Sequence, residues 1–151
     1  VGQEVRLIDY YESGGAGLDH YTKVLESKKY TYKEHVLPHD VQVRELGTGK
    51  SRLEVLRALG LTNITVCPPL SVDDGIQAVR ALLGKCWFDS VKCERGVDCL
   101  QQYRREYNDV NQVWHHKPLH NWASHGADAL TRSLHDNCMH MYVHACIMCM
   151  S

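Results

Sequence analysis

The stretch Glu34–Asp40 reads EHVLPHD, a short apolar run that ends at Pro38 and leads directly into His39 and Asp40. The apolar residues before the proline predict a strand over 34–37. In an open α/β sheet, ligands and catalytic groups collect at the carboxyl ends of the strands. Asp40 is therefore a candidate functional carboxylate, and the competing interpretation is a solvated turn after a strand.

Strand and helix patterns alternate on both sides of this stretch. The predicted strands lie at 1–11, 34–37 and 63–67, and the predicted helices at 18–27, 51–59, 71–84, 89–107 and from 125 onward. This alternation predicts an α/β fold in which strands 34–37 and 63–67 are parallel neighbours joined by a right-handed crossover. Asp40 would then lie at the carboxyl edge of a sheet covered by helices.

Capping residues mark where four of these helices begin. The predicted N-caps are Ser51, Ser71, Asp89 and Ser124, the first two supported by an acid three residues later. The helix capped by Asp89 is expected to bury a face that continues through Tyr103 to Tyr107. Lys85–Phe88 is expected to be a short link between two helices.

Two glycine-containing stretches resemble nucleotide-binding motifs but fail their requirements. Gly15-x-Gly17 is followed by His20 at the position where a dinucleotide fingerprint requires Gly or Ala. The segment 49–51, GKS, resembles the end of a P-loop, but Arg44 stands where that motif needs its first glycine. Neither stretch predicts a nucleotide site.

Length, composition and charge limit the class of protein. The chain has 151 residues, of which 44% are hydrophobic, and this predicts one globular domain with a real core. Seven cysteines without an even disulfide spacing, and no apolar run of membrane length, predict free thiols in a reducing, cytosolic compartment. The net charge of −1 provides no global field for nucleic acid, so any such partner needs a local basic patch or metal ions.

The segment after Asp40 supplies such a patch. Arg44, Lys50 and Arg52 lie close together in sequence and are suited to contacts with a phosphate backbone. A solvated helix face is the alternative interpretation of the same charges.

The stretch Lys117–Arg132 reads KPLHNWASHGADALTR and predicts a helix from His125 that carries Asp128 in its first turn. Small residues at Gly126, Ala127 and Ala129 would let this helix lie close to another element and bring Asp128 near the sheet edge. An acid that only complements the helix dipole is the alternative.

Taken together, these stretches resemble a known family. The ordered succession IDYYESGG, LPHD, RELGTGKSR, SVDDGIQAVR, CWFD, KCERG, LQQYRREY and KPLHxWxSHGADA is similar to the nuclease domain of the phage large terminase subunit. The similarity extends over about residues 2–132. It implies a ribonuclease H-like three-layer fold with a mixed sheet flanked by helices. It also implies a metal-dependent endonuclease that cuts concatemeric double-stranded DNA during packaging.

The resemblance also implies the site residues. By the match of LPHD, Asp40 takes the place of the family's second metal-binding acid, and by the match of SHGADA, Asp128 takes the place of the third. Both would be catalytic and would bind Mg²⁺ or Mn²⁺, two ions in the complete domain, with His39 and His125 as auxiliary residues.

Departures from the family pattern are equally specific. The first acid of the family lies on a strand that would precede Val1. The resemblance therefore implies an N-terminally truncated domain that lacks its first two strands. Such a domain is expected to be nearly inactive by itself. Asp9 does not replace that acid, because the match puts it on the third strand. Asn121 stands where the family has Asp, which puts an acidic role there in doubt.

The partners implied by the resemblance are double-stranded DNA, an upstream ATPase motor domain, the small terminase subunit and the portal, without a membrane. The location implied is the cytoplasm of the phage host, or the bacterial cytoplasm if the sequence belongs to a prophage. A function of another class also fits, namely a non-enzymatic remnant that binds DNA or packaging partners without cutting.

The final segment, 133–151, resembles nothing in the family and divides the chain into a terminase-like domain at 1–132 and an atypical tail. Its soft metal ligands are Cys138, His140, His144, Cys146 and Cys149. Their spacing matches no common zinc finger, so the alternatives are a zinc site and a Met- and Cys-rich end that packs or frays.

Overall fold

The structure, a computed structural model, describes the backbone of residues 4–69, 71–137 and 143–150. Side chains are described within 4–134, apart from those of residues 70, 116, 132 and 133. The strands are β1 Val5–Ser13, β2 His35–Leu37, β3 Ile64–Val66, β4 Cys86–Phe88, β5 Arg105–Asn108, β6 Val113–Pro118 and β7 Val143–Met150. The helices are α1 Leu18–Ser27, α2 Arg52–Ala58, α3 Val72–Leu83, α4 Glu94–Gln102 and α5 Trp122–Asn137, with a 3₁₀ turn at His39–Gln42.

The chain divides into two compact units. The smaller unit is Gly14–Pro69, and the larger unit consists of Val1–Ser13 and Leu70–Ser151. In the larger unit β1 lies between β4 and β7, and both neighbours run parallel to it. Helices α3 and α4 each contact α5, and α4 also contacts β1. The core of this unit contains Val5, Leu7, Tyr10, Val79, Cys93, Leu130 and Leu134.

A β-bulge in β1 determines which of its side chains reach this core. Leu7 pairs with Ala145 and Asp9 pairs with Cys146, so Ile8 is an extra residue on β1. Side chains alternate along a regular strand, and without the bulge Leu7 and Tyr10 would point to opposite faces. With it, both belong to the same core cluster.

Two glycines make room for the Tyr10 side chain between helices. A Cβ atom at Gly96 of α4 would lie 2.8 Å from the Tyr10 ring. A Cβ atom at Gly126 of α5 would meet the Tyr10 hydroxyl and lie 2.6 Å from the Cys99 sulfur. Real Cβ atoms do not tolerate such distances, so both helices approach Tyr10 only because these positions are glycine. The predicted close approach of the helix that carries Gly126 is confirmed.

We expect Gly126→Ala to lower the free energy of unfolding by about 1–3 kcal/mol, because the added methyl group overpacks a filled site. Gly84→Ala is the matched control in the same unit, since its Cβ atom would meet nothing within 4 Å and its φ of −66° suits alanine. That control should change the free energy by less than about 0.5 kcal/mol. Urea denaturation measures both, and equal stabilities for the two variants would contradict the packing described here.

The smaller unit is built on a parallel strand pair. β2 and β3 align His35 with Ile64 and Leu37 with Val66, which confirms the predicted parallel neighbours. Helix α2 contacts both α1 and the 3₁₀ turn. The buried hydrophobic residues are Tyr21, Leu37, Val41, Leu53, Leu56 and Cys67.

The capping predictions for α2 and α3 are confirmed. Ser51 accepts a hydrogen bond from the Glu54 amide at 3.1 Å, and the Glu54 carboxylate accepts one from the Ser51 amide at 3.0 Å. The Ser71 hydroxyl oxygen likewise accepts from the Asp74 amide at 3.1 Å.

The α/β class expected from the alternating pattern is confirmed as well. The described strands form three sheets of three, two and two strands, and the ribonuclease H-like arrangement implied by the resemblance stays a prediction.

The long helix predicted at 89–107 is wrong. Asp89 accepts hydrogen bonds from the amides of Val91 and Lys92 in a turn, and α4 begins only at Glu94. The helix ends at Gln102, and Tyr107 lies on β5 with 42% of its surface exposed.

Three further parts of the structure differ from the sequence prediction. The expected link at Lys85–Phe88 contains β4, which pairs with β1. β5 and β6 form an antiparallel hairpin that was not predicted. Ser124 is not the N-cap of the last helix, because α5 begins at Trp122 and the Asn121 side chain accepts from the Ala123 amide at 3.0 Å.

Candidate functional site

Asp40 lies just beyond the end of β2. Pro38 is extended, with φ −68° and ψ 155°, and the chain then forms the 3₁₀ turn at His39–Gln42. Val41 anchors that turn with 1% of its surface exposed, while His39 and Asp40 are exposed. The Asp40 carboxylate makes no hydrogen bond or ion pair with any residue of the described ranges. Both of its oxygens are therefore available to a ligand.

Asp128 lies in the second turn of α5 and is half-buried. Its Oδ1 accepts a hydrogen bond from the Tyr103 hydroxyl at 3.1 Å. Burial, the negative charge of Asp128 and this hydrogen bond together raise the pKa of Tyr103 well above its ordinary value of 10. The phenol therefore remains a donor at neutral pH, and Oδ2 of Asp128 is left without a hydrogen bond from the described residues.

The two predicted carboxylates belong to different units. Asp40 is part of the smaller unit and Asp128 is part of the larger one, and each is described within its own unit. Their meeting at a shared divalent ion stays a prediction.

The predicted auxiliary histidines also have distinct surroundings. His39 is exposed directly beside Asp40. His125 is exposed on α5, and its ring packs edge-on against that of His120 with centroids 4.9 Å apart. The His120 Nδ1 lies 3.4 Å from the Ser124 hydroxyl.

A polar network in the larger unit was not predicted from the sequence. Glu12, near the end of β1, accepts hydrogen bonds from the Tyr10 hydroxyl at 2.7 Å and from the Arg95 Nε at 2.6 Å. The Arg95 guanidinium also lies over the Trp122 ring, 4.2 Å from its centroid. Glu12 and Arg95 are 83 residues apart, and no spacing rule connects them. The only sequence signal was that Glu12 lies in the motif IDYYESGG and Arg95 in the motif KCERG.

The network changes the acidity of Glu12. Burial raises the pKa of Glu12, but the hydrogen bonds from Arg95 and Tyr10 and the positive charges of Arg95 and His125 outweigh burial and lower it below 4.5. A carboxylate whose pKa is lower in the folded state stabilises the fold above its unfolded pKa. That stabilisation is lost as the pH falls through the folded pKa.

We therefore expect Glu12→Gln to lose less stability than the unmodified protein when the pH is lowered from about 6 to about 3. The difference should be about 1 kcal/mol or less, because the Arg95 side chain is 49% exposed and water screens the pair. The control is Glu106→Gln, an exposed glutamate on β5 in the same unit. Thermal melts across this pH range test the expectation, and parallel pH profiles for Glu12→Gln and the unmodified protein would refute it.

The charges of the predicted basic patch are partly neutralised by two nearby glutamates. The Arg44 Nη1 donates to the Gly49 carbonyl at 2.9 Å, and its Nη2 lies 3.2 Å from the Glu54 carboxylate. The Arg52 Nε lies 3.7 Å from the Glu45 carboxylate. Lys50 is exposed and makes no ion pair with the residues that the structure describes. Exposed pairs of this kind contribute little energy, so the arginines can exchange their carboxylates for a phosphate.

The donor chemistry of the two candidate acids fits a hard divalent cation. Mg²⁺ and Mn²⁺ prefer carboxylate oxygens, and both acids have at least one oxygen free of protein partners in the described ranges. Among the side chains that the structure describes, no group of three or more His, Cys, Asp and Glu is placed to hold a metal ion. The candidate zinc ligands of the tail, Cys138, His140, His144, Cys146 and Cys149, lie outside the described side chains.

Comparisons of this chain with protein families, with curated proteins and with solved structures found no match. In the part of the chain that the structure describes, no helix combines the length and the apolar character needed to cross a membrane. The basis for a functional proposal is therefore the chain's own motifs, together with the surroundings of Asp40 and Asp128.

Proposed function

We propose that this chain is the metal-dependent endonuclease domain of a phage packaging terminase. In this proposal the domain has a ribonuclease H-like fold and cuts concatemeric double-stranded DNA by phosphodiester hydrolysis. The observation that carries the proposal is the ordered set of motifs from IDYYESGG to SHGADA. The exposed Asp40 after a strand end and the half-buried Asp128 on the last described helix support it, because each offers a free carboxylate oxygen.

Asp40 and Asp128 are the residues that would hold Mg²⁺ or Mn²⁺ in this function. When bound, a pair of such ions activates the attacking water and stabilises the leaving oxygen. The protein's own contribution is to hold the carboxylates in place. Burial of Val41 fixes the turn that presents Asp40, and the Tyr103 hydroxyl restrains Asp128.

In this proposal the contacts with DNA are made by a local group of positively charged side chains, because the net charge of −1 attracts no polyanion over long range. Lys50 is available directly, and Arg44 and Arg52 become available when phosphate replaces their carboxylate partners. The further partners proposed on the motifs alone are the ATPase motor domain, the small terminase subunit and the portal, in the cytoplasm of a bacterial host.

A non-enzymatic remnant that binds DNA without cutting is the second candidate function. It is favoured by one observation, that the family motifs match only two of the three metal-binding acids to this sequence. The presence of a third carboxylate distinguishes the two functions. Two acids of the chain that could be considered for this third position already have defined surroundings. Asp9 is buried on β1, and the Asp74 carboxylate accepts a hydrogen bond from the Ser71 hydroxyl at 2.6 Å.

The activity test uses supercoiled plasmid and Mn²⁺. We expect the 151-residue chain to cut at close to background, because the motifs match only two of the family's three metal-binding acids, Asp40 and Asp128, to this sequence. An amino-terminal extension that supplies two strands and one Asp should give cutting that Asp40→Ala or Asp128→Ala abolishes. Misplaced metal ions cost orders of magnitude in rate. Asp109→Ala, a change at an exposed residue of the hairpin loop, is the control.

Cutting by the extended protein that survives both Asp substitutions would overturn the proposed function. Strong Asp40-dependent cutting by the 151-residue chain alone would instead show that the third ligand lies within it. Asp9, Asp73 and Asp74 would then be the first candidates.

The metal test uses calorimetry with Mn²⁺ on the 151-residue chain. We expect weak binding, with a dissociation constant on the order of millimolar or higher, because the ligand set is incomplete. Asp40→Asn should weaken that binding further, and Asp109→Asn should leave it unchanged. Identical titrations for Asp40→Asn and the unmodified chain would remove Asp40 from the site.

A further inference from the structure

We propose that Tyr103 is the positioning residue for Asp128. Its hydroxyl holds Oδ1 of the carboxylate at 3.1 Å and so directs Oδ2 toward a bound divalent ion. This inference rests on the proposed function, because it assigns Asp128 to the metal site.

Tyr103 is itself held in place by main-chain contacts on both sides. It is the C-cap of α4, where its extended backbone, with φ −71° and ψ 111°, ends the helix. Its amide donates to the Leu100 carbonyl at 3.4 Å. The next residue, Arg104, accepts a hydrogen bond from the Leu119 amide at 2.8 Å. These bonds anchor the main chain from which the Tyr103 ring reaches Asp128.

The helices that carry the two residues are also closely packed. α4 and α5 are in contact, and a Cβ atom at Gly126 would lie only 2.6 Å from the Cys99 sulfur. Gly126 is two residues before Asp128, and Cys99 is four residues before Tyr103. The distance between the hydroxyl and the carboxylate is thus determined by a helix contact that glycine makes possible.

A hydrogen bond to one oxygen matters because the carboxylate is otherwise free to turn. Rotation about the last bond of an Asp side chain has broad energy minima, so both oxygens exchange places easily. A donor fixed on one oxygen restricts this rotation and leaves the other oxygen for the cation. Partners of this kind behind a metal ligand typically contribute 10–100-fold to metal affinity.

Asp40 provides the internal contrast. No residue of the described ranges donates a hydrogen bond to its carboxylate, and the side chain is exposed. Asp128 is thus the orientationally restrained ligand of the proposed pair. A purely structural role for the Tyr103 hydrogen bond would affect stability alone, whereas a positioning role affects metal affinity.

The experiment follows Mn²⁺ binding to the ¹⁵N-labelled 151-residue chain by paramagnetic broadening of the Asp128 amide signal. Tyr103→Phe keeps the ring and removes only the hydroxyl. We expect it to raise the Mn²⁺ concentration needed for half-broadening by about 10-fold or more. Tyr107→Phe is the matched control, because the Tyr107 ring packs on Trp114 at 4.8 Å in the hairpin. It should leave the Mn²⁺ concentration unchanged.

The Asp128→Asn variant distinguishes failure of the proposed metal site from failure of the positioning role of Tyr103. If the amide of residue 128 broadens equally in Asp128→Asn, the proposed metal site itself fails. If Asp128→Asn abolishes the effect while Tyr103→Phe behaves like the unmodified chain, the positioning role is overturned and the proposed function stands. Thermal melts of each variant identify any loss of folding.

A second measurement decides the case if Tyr103→Phe does not fold. In the unmodified chain with ¹³C-labelled tyrosine rings, the Tyr103 ring signals should broaden over the same Mn²⁺ range as the Asp128 amide. Ring signals that stay sharp while that amide broadens would overturn the proposal.

Discussion

The larger unit depends on the position of one aromatic side chain. Tyr10 lies between α4 and α5 because Gly96 and Gly126 have no side chains, and because the bulge at Ile8 turns it toward the core. A filled site of this kind has no room for an added methyl group. The relative position of the two helices is therefore determined by contact with a strand residue.

Tyr10 also connects the core to the polar surface. Its ring packs in the core, and its hydroxyl donates to Glu12, which in turn pairs with Arg95. The contact between α4 and α5 also determines how closely Tyr103 approaches Asp128. One packing arrangement thus orients two carboxylates, Glu12 and Asp128, that lie on different elements of the unit.

Local patterns predicted the local features of this fold. Hydrophobic periodicity and capping residues were sufficient for α1, α2, α3 and the β2–β3 pair, since those signals lie within a few residues of one another. The pattern failed at Tyr103 and Tyr107. Their spacing continues a helical face, but the helix ends at Gln102 and the chain then forms a hairpin whose strand pairing is not visible in a local pattern. Motifs pointed to Asp40 and Asp128, but the Tyr103 contact and the Glu12–Arg95 pair depend on packing between distant segments.

Cys99, which lies at the contact between α4 and α5, provides a chemical probe of the opening of that contact. Cys99 is fully buried and Cys93 is 2% exposed, and burial raises the pKa of both thiols. Thiolates are the reactive form, so neither sulfur reacts with an alkylating reagent while the unit is closed. The alkylation rate of Cys99 therefore reports how often α4 and α5 separate, which is a local stability distinct from that of the whole chain.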